Sequence, residues 1–185
     1  MTFLNYRMAR FKNGRLIPLR ARTRHILLLL LLASVAFLAV SPSRADNFRE
    51  FTADSFAQIK AQYQGQEFLL GLWSVDCPPC LAELMFMGEL IQLNPDLPYV
   101  LISTDPIEER QSAVEFLEDF GLSGMESWMF ADSFVERLRF SIDPGWYGEL
   151  PRSYYFDDRH NRQSHSGIVT RELLESWFQR ELTFE

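Results

Sequence analysis

The chain is poor in cysteine, with two in 185 residues, at positions 77 and 80. Two cysteines cannot staple a small scaffold, so a disulfide-framework protein is excluded. Glycine and proline are also sparse, nine of each, which excludes collagen-like and low-complexity architectures. Acidic side chains are missing from residues 1–45, which hold eight Lys or Arg and carry a charge of +8. The remaining 140 residues hold all 25 acidic side chains and ten basic ones, a charge of −15. The overall −7 therefore averages two unlike segments. A domain this anionic is a poor partner for nucleic acid, where neutralising phosphates supplies much of the affinity. Apolar residues are plentiful: 47% hydrophobic and 14% aromatic, against 23% charged. That is the profile of one globular domain with its own core.

The basic stretch ends at Arg24-His25, and an apolar run follows from Ile26 to Val40, broken mildly at Ser34. Ser41-Pro-Ser-Arg-Ala45 comes next. Positive, then apolar, then small is the order of a secretory signal, with Ser43 and Ala45 at the small positions and a cut before Asp46. A spanning helix needs about 20 residues. The run has 15, which favours cleavage over an uncleaved anchor. Under either reading the positive flank stays cytoplasmic and the domain is exported. It is then periplasmic or otherwise extracytoplasmic, either soluble or anchored by residues 26–40. The expected organisation is a signal peptide or signal anchor over 1–45 and a single domain over 46–185. Outside the cytoplasm disulfides persist.

After Asp46, helical and strand patterns alternate. Ser55-Phe-Ala-Gln58 reads as a capping box opening a helix that runs to about Tyr63. Glu67 to Val75 is short and mostly apolar, which suits a strand buried on both faces. Cys77-Pro-Pro-Cys80 follows, then a helix to about Leu93 with Leu81, Leu84, Gly88 and Ile91 at helical spacing. Tyr99 to Thr104 is a second strand, and Asp105-Pro-Ile-Glu108 reads as the cap of the next helix. A third strand is expected over Trp128 to Ala131 and a short helix capped by Ser133. Two further strands over Pro151 to Phe156 and Ser164 to Val169 precede a last helix capped by Thr170. Alternating helices and strands imply parallel pairing by crossovers, and the final β-β-α adds antiparallel strands. The class is α/β, a central mixed sheet flanked by helices.

Cys77 and Cys80 fall where a buried strand passes into a helix. Reactive sites in open α/β sheets lie at the carboxyl ends of strands. A helix start also supplies unpaired N–H groups and a positive dipole end that stabilise a thiolate, the nucleophile of thiol–disulfide exchange. Pro78 and Pro79 withhold two of those donors, and Pro78 keeps Cys77 extended. Cys77 is thus the expected exposed attacking thiol and Cys80 the buried resolving thiol. Glu83 lies one turn further along the same face. If buried, its carboxyl would have a raised pKa and could exchange protons with Cys80; as a solvated charge it would have no such role. Asp76 disfavours a Cys77 thiolate unless solvent screens it. Two other uses of the thiols stay open. One is a static disulfide, although so short a loop is stabilised little by closure. The other is a copper or zinc site drawing on Met85, Met87, His160 or His165.

The run Trp73-Ser-Val-Asp-Cys-Pro-Pro-Cys-Leu-Ala-Glu83 resembles the active-site segment of the thioredoxin superfamily. The nearest pattern is the exported TlpA-like branch, Trp-x-x-x-Cys-x-x-Cys-x-x-Glu. Gly148-Glu-Leu-Pro151, followed by Tyr154-Tyr-Phe-Asp157, is similar to that family's Gly-x-x-Pro before an edge strand. The resemblance covers about Phe51 to Glu185 and implies a thioredoxin-like fold. It also implies thiol–disulfide oxidoreductase activity with no cofactor or metal, as a reductant of protein disulfides fed by a membrane electron donor. Cys77, Cys80 and Glu83 would carry the chemistry. Trp73, Asp76, Pro78, Pro79, Leu150 and a cis Pro151 would contact substrate. The partners implied are protein thiols and disulfides, with the membrane engaged only through an uncleaved N-terminal segment. There are departures: Asp76 replaces an aromatic residue, and Gly71 stands where cytoplasmic thioredoxins have a buried Asp. Residues 123–148, with Trp128, Phe134, Phe140, Trp146 and Tyr147, match no family pattern and read as a covering layer or a partner-binding insertion. The rival functions are a copper-handling or metal-delivery module and a partner-binding domain with a structural disulfide.

Overall fold

A computed structural model of the chain describes residues 48–184. The segment expected as signal or anchor, residues 1–45, lies outside the described residues. The elements are β1 (Phe48–Phe51), α1 (Ser55–Gln62), β2 (Phe68–Trp73), α2 (Pro78–Leu93) and β3 (Tyr99–Ser103). After a 3-10 turn (Ile107–Glu109) come α3 (Arg110–Asp119), β4 (Glu126–Phe130) and α4 (Val135–Ile142). The chain ends in β5 (Arg152–Phe156), β6 (Arg162–Ser166) and α5 (Arg171–Phe178). The six strands form one sheet in the order β1-β4-β3-β2-β5-β6. The first four in that order pair in parallel, and β5 and β6 add antiparallel.

β2 and β3 are buried along their whole lengths, as unbroken apolar runs require. Successive side chains point to opposite faces. Leu69, Trp73, Tyr99, Leu101, Met129 and Tyr155 therefore face one core layer, with α2, α3 and α5. Phe68, Leu70, Leu72, Val100, Ile102 and Phe156 face the other, with α1 and α4. The α2 helix sits close on its neighbours: a Cβ at Gly88 would lie 1.9 Å from the carbonyl oxygen of Phe120. Among the described residues no helix is long and apolar enough to cross a membrane.

Several local readings are corrected by long-range partners. β1 is a strand that the sequence pattern does not announce. Its two central residues are charged and exposed, and it is ordered by parallel pairing with β4, Phe48 opposite Ser127. Ser55 does not form a capping box. It is the first residue of α1, and its hydroxyl turns back to accept from the Thr52 amide (2.9 Å) and donate to the Glu50 carbonyl (3.3 Å). Ser133 does not cap α4: the N-cap is Phe134, with no side-chain cap, and its own amide donates to Asp132 (2.9 Å). The second hairpin strand is Arg162–Ser166, and Gly167 (φ +95°) turns the chain out of the sheet before Val169. Thr170 caps α5 as expected, accepting from the Leu173 amide. Residues 123–148 are not one covering layer: they include β4, an inner strand of the sheet, and α4, which packs Leu138 and Ile142 against the same core layer as Trp128 and Trp146, while Phe134, Phe140 and Tyr147 remain exposed.

Candidate active site

β2 ends at Trp73 and α2 starts at Pro78, so a short turn delivers Cys77 to the N-cap of the helix. Cys77 is extended (φ −115°, ψ 92°), the conformation a following proline demands. Pro78 and Pro79 occupy the first two helical positions, where a missing N–H leaves no bond unmade. Cys80 is therefore the first residue of α2 with an amide to offer. That amide donates to the Cys77 carbonyl (2.9 Å) and to Cys77 Sγ (3.3 Å). The two sulfurs are joined in a disulfide, with Cα atoms 5.2 Å apart. Cys80 is fully buried and Cys77 half-buried, and Asp76, Pro78 and Pro79 are exposed around it. Of the two cysteines, only Cys77 is partly exposed.

Glu83 lies one helical turn beyond Cys80 and is 3% exposed. Its Oε1 accepts from Ser153 Oγ (3.1 Å) on β5, and its Oε2 accepts from the Val169 amide (2.9 Å) ahead of α5. One carboxyl thus ties α2 to two other elements. Burial pushes its pKa up to about 7, against the opposing pull of the Val169 and Ser153 hydrogen bonds. A group poised there can take or give a proton near neutrality. Gly71, in the place of the expected Asp, leaves room for a tyrosine: a Cβ there would meet Tyr99 Oη at 2.5 Å. Burial, then the Glu83 charge, holds the Tyr99 phenol well above its usual range, so it stays neutral.

The Leu150–Pro151 peptide is cis. Leu72 pairs opposite Arg152, so Pro151 lies level with Trp73, at the end of the sheet from which Cys77 emerges. Pro151 is buried and Leu150 half-buried. Trp73, expected among the substrate contacts, is 2% exposed. Its ring walls the core layer that holds Cys80, out of a substrate's reach.

Asp105 is a site residue that sequence reasoning misread. It reads as a helix cap because proline follows it, yet it is 6% exposed and serves the approach to Cys77. Its carboxylate accepts from Ser74 Oγ (2.6 Å), the Val75 amide (3.0 Å) and Ser103 Oγ (2.6 Å). The Ser74 carbonyl in turn accepts from the Cys77 amide (3.2 Å). Asp105→Ala strands three donors, and hydrogen bonds to charged groups contribute about 1.5–3 kcal/mol each. The oxidised variant should lose about 3 kcal/mol or more in urea unfolding, with the loop ahead of Cys77 loosened.

The residues named for a metal site lie in different settings. Met87 is buried in the core while Met85 is exposed. His160 turns the β5–β6 hairpin and contacts the Tyr63 carbonyl (3.0 Å), whereas His165 on β6 contacts that of Ile168 (3.3 Å). Among the described residues no group of three or more His, Cys, Asp or Glu side chains is placed to hold a metal ion.

No protein-family model and no curated protein matches the sequence. Solved structures do match. One is a secreted Mycobacterium tuberculosis disulfide oxidoreductase homologous to E. coli DsbE, with 18% identity, covering 64% of this chain and 84% of that one, at a TM-score of 0.52. Another is the thioredoxin domain of a thiol-disulfide oxidoreductase from Bacteroides vulgatus, with 16% identity, 64% and 81% covered, and a TM-score of 0.50. The chain has the thioredoxin fold. A secreted thiol-disulfide isomerase from Corynebacterium glutamicum shares it, at 21% identity, 63% and 71% covered, and a TM-score of 0.50. Within the thioredoxin fold of this chain, the Cys77–Cys80 disulfide, Glu83 and the cis Pro151 converge at one end of the sheet.

Proposed function

We propose that the chain is a thiol–disulfide oxidoreductase that acts on protein thiols and disulfides through Cys77 and Cys80. One observation carries the reading: a half-buried cysteine at a helix N-terminus is disulfide-bonded to a buried one that lies one turn from a buried carboxyl. In the reducing direction the Cys77 thiolate attacks a substrate disulfide. A Cys77–substrate bond forms, and one substrate sulfur leaves as thiolate. Glu83 takes the proton from Cys80, whose thiolate attacks Cys77 Sγ and displaces the second substrate sulfur. Two electrons pass to the substrate, which leaves as a dithiol once protonated, and the Cys77–Cys80 disulfide remains. The Cys80 amide that touches Cys77 Sγ is placed to stabilise the Cys77 thiolate that starts the cycle. Asp76, Pro78 and Pro79 on one side and the backbone of Leu150 with Pro151 on the other frame the substrate. No metal or cofactor enters.

The TlpA-like motif supports a reductant recharged by a membrane electron donor. The order of charge, apolar run and small residues in 1–45 supports export of domain 46–185, as a soluble or anchored protein. The test is capture. Cys80→Ser, reduced and mixed with a disulfide-bonded protein, accumulates a Cys77-linked adduct that dithiothreitol releases. No adduct under conditions where the wild type exchanges would overturn the assignment.

A further inference from the structure

The connection from α4 to β5 is ordered far beyond what joining two elements requires. Asp143, 5% exposed, sits at its start. Its carboxylate accepts from Tyr154 Oη (3.0 Å) and the Gly145 amide (2.9 Å), and pairs with Arg162 (3.1 Å) and Arg152 (3.6 Å). Arg152, at the other end, closes the loop. Its guanidinium donates to Ser166 Oγ (2.6 Å) and lies 3.4 Å from Glu149. Inside the loop Trp146 is buried, and its indole N–H donates to the Glu149 carbonyl (2.9 Å). Gly148 has φ +101°, and a Cβ there would lie 2.9 Å from the Arg139 guanidinium carbon. The residues on both sides of Tyr147 are thus pinned. Tyr147 itself is 87% exposed, the highest value among the large hydrophobic residues described.

Fixing backbone costs conformational entropy, and here the ordered loop holds an aromatic ring out in water. A rigid loop is preorganised to bind, and a tyrosine with two rotatable torsions is a frequent energetic anchor in recognition. The ring stands three residues before Leu150, on the loop that leads into Pro151. We propose that residues 143–152 form a rigid docking arm on which Tyr147 grips an apolar side chain of the polypeptide flanking the target disulfide. The proposal rests on the exchange reading above and names its substrate class: a protein with apolar residues beside its cystine, rather than a small charged disulfide.

The test compares Tyr147→Ala and Tyr147→Phe with wild type, using the reduced full chain and a disulfide-bonded protein as substrate. Tyr147→Ala should raise KM about tenfold, the order of one aromatic contact, with kcat and the Cys77–Cys80 reduction potential at wild-type values. Tyr147→Phe should keep KM within about twofold, since the ring does the gripping. Asp143→Asn should speed amide exchange at Gly145 and Tyr147 by about tenfold or more, a readout independent of activity. An unchanged KM in Tyr147→Ala, or a loss carried by kcat or the potential, overturns the docking role. Unchanged amide exchange in Asp143→Asn overturns the clamp. A wild type that reduces no protein disulfide fails the exchange reading itself, and the docking role falls with it.

Discussion

Cys77→Ser is expected to abolish exchange while leaving the domain folded. A serine hydroxyl is not ionised near neutrality and cannot form the mixed disulfide, so turnover should fall at least about a thousandfold, to the uncatalysed background. The fold should survive because a bridge between residues three apart restrains little of the unfolded chain, about 2 kcal/mol in the loop-entropy picture. Cys80→Ser should behave differently. Its first attack is retained, because Cys77 is the partly exposed cysteine of the pair; resolution is lost, because the second nucleophile is gone. A single stoichiometric burst of substrate thiol with no turnover is the expected trace, against no burst in Cys77→Ser. Equal activity in both variants would contradict the assigned roles.

Glu83→Gln should change both stability and rate, with opposite signs above neutrality. The carboxyl ionises at about 7 in the folded protein, against an ordinary value of 4.5. Between those values the unfolded chain carries the charge and the folded one does not, so the unfolded state gains. Stability therefore falls as pH rises from about 4.5 to about 7, by about 3 kcal/mol for this group, and is level beyond that window. Glutamine can mimic the protonated acid, accepting from the Val169 amide and donating to Ser153. Urea melts of the oxidised proteins should show the wild type losing stability relative to Glu83→Gln across that window, with the variant the more stable at pH 8. Resolution by Cys80 should slow about a hundredfold, within the range for loss of a general base. The rise in wild-type rate through about pH 7 should disappear with it. A variant that is less stable than wild type at pH 8 and equally fast would mean that Glu83 ionises at its ordinary value, as a structural carboxylate.

What could be read before the fold was known was what local pattern encodes. A strand ending in Trp73, a helix start at two prolines and an acid three residues after Cys80 are all short-range relations. They place Cys77 at the helix start, Cys80 buried behind it and Glu83 one turn further along, as the structure has them. The failures share the opposite property. Phe48–Phe51 is a strand because β4, some eighty residues later, pairs with it. Asp105 looks like a cap beside its proline, but its partners Ser74 and Val75 lie about thirty residues earlier. Trp73 sits in a motif associated with substrate binding, yet strand alternation turns its ring into the core layer of Cys80. Tyr147 carried no motif at all, and its role emerges from the ion pairs that immobilise its neighbours.

The reduction potential of the Cys77–Cys80 pair, measured by equilibration against glutathione or dithiothreitol, tests the central claim most directly. A reductant of protein disulfides should lie toward about −270 mV, the value of thioredoxin itself, and a value near about −120 mV would instead make the protein an oxidant. A potential below about −300 mV, the range of structural disulfides, would contradict the claim that this pair is redox-active at all.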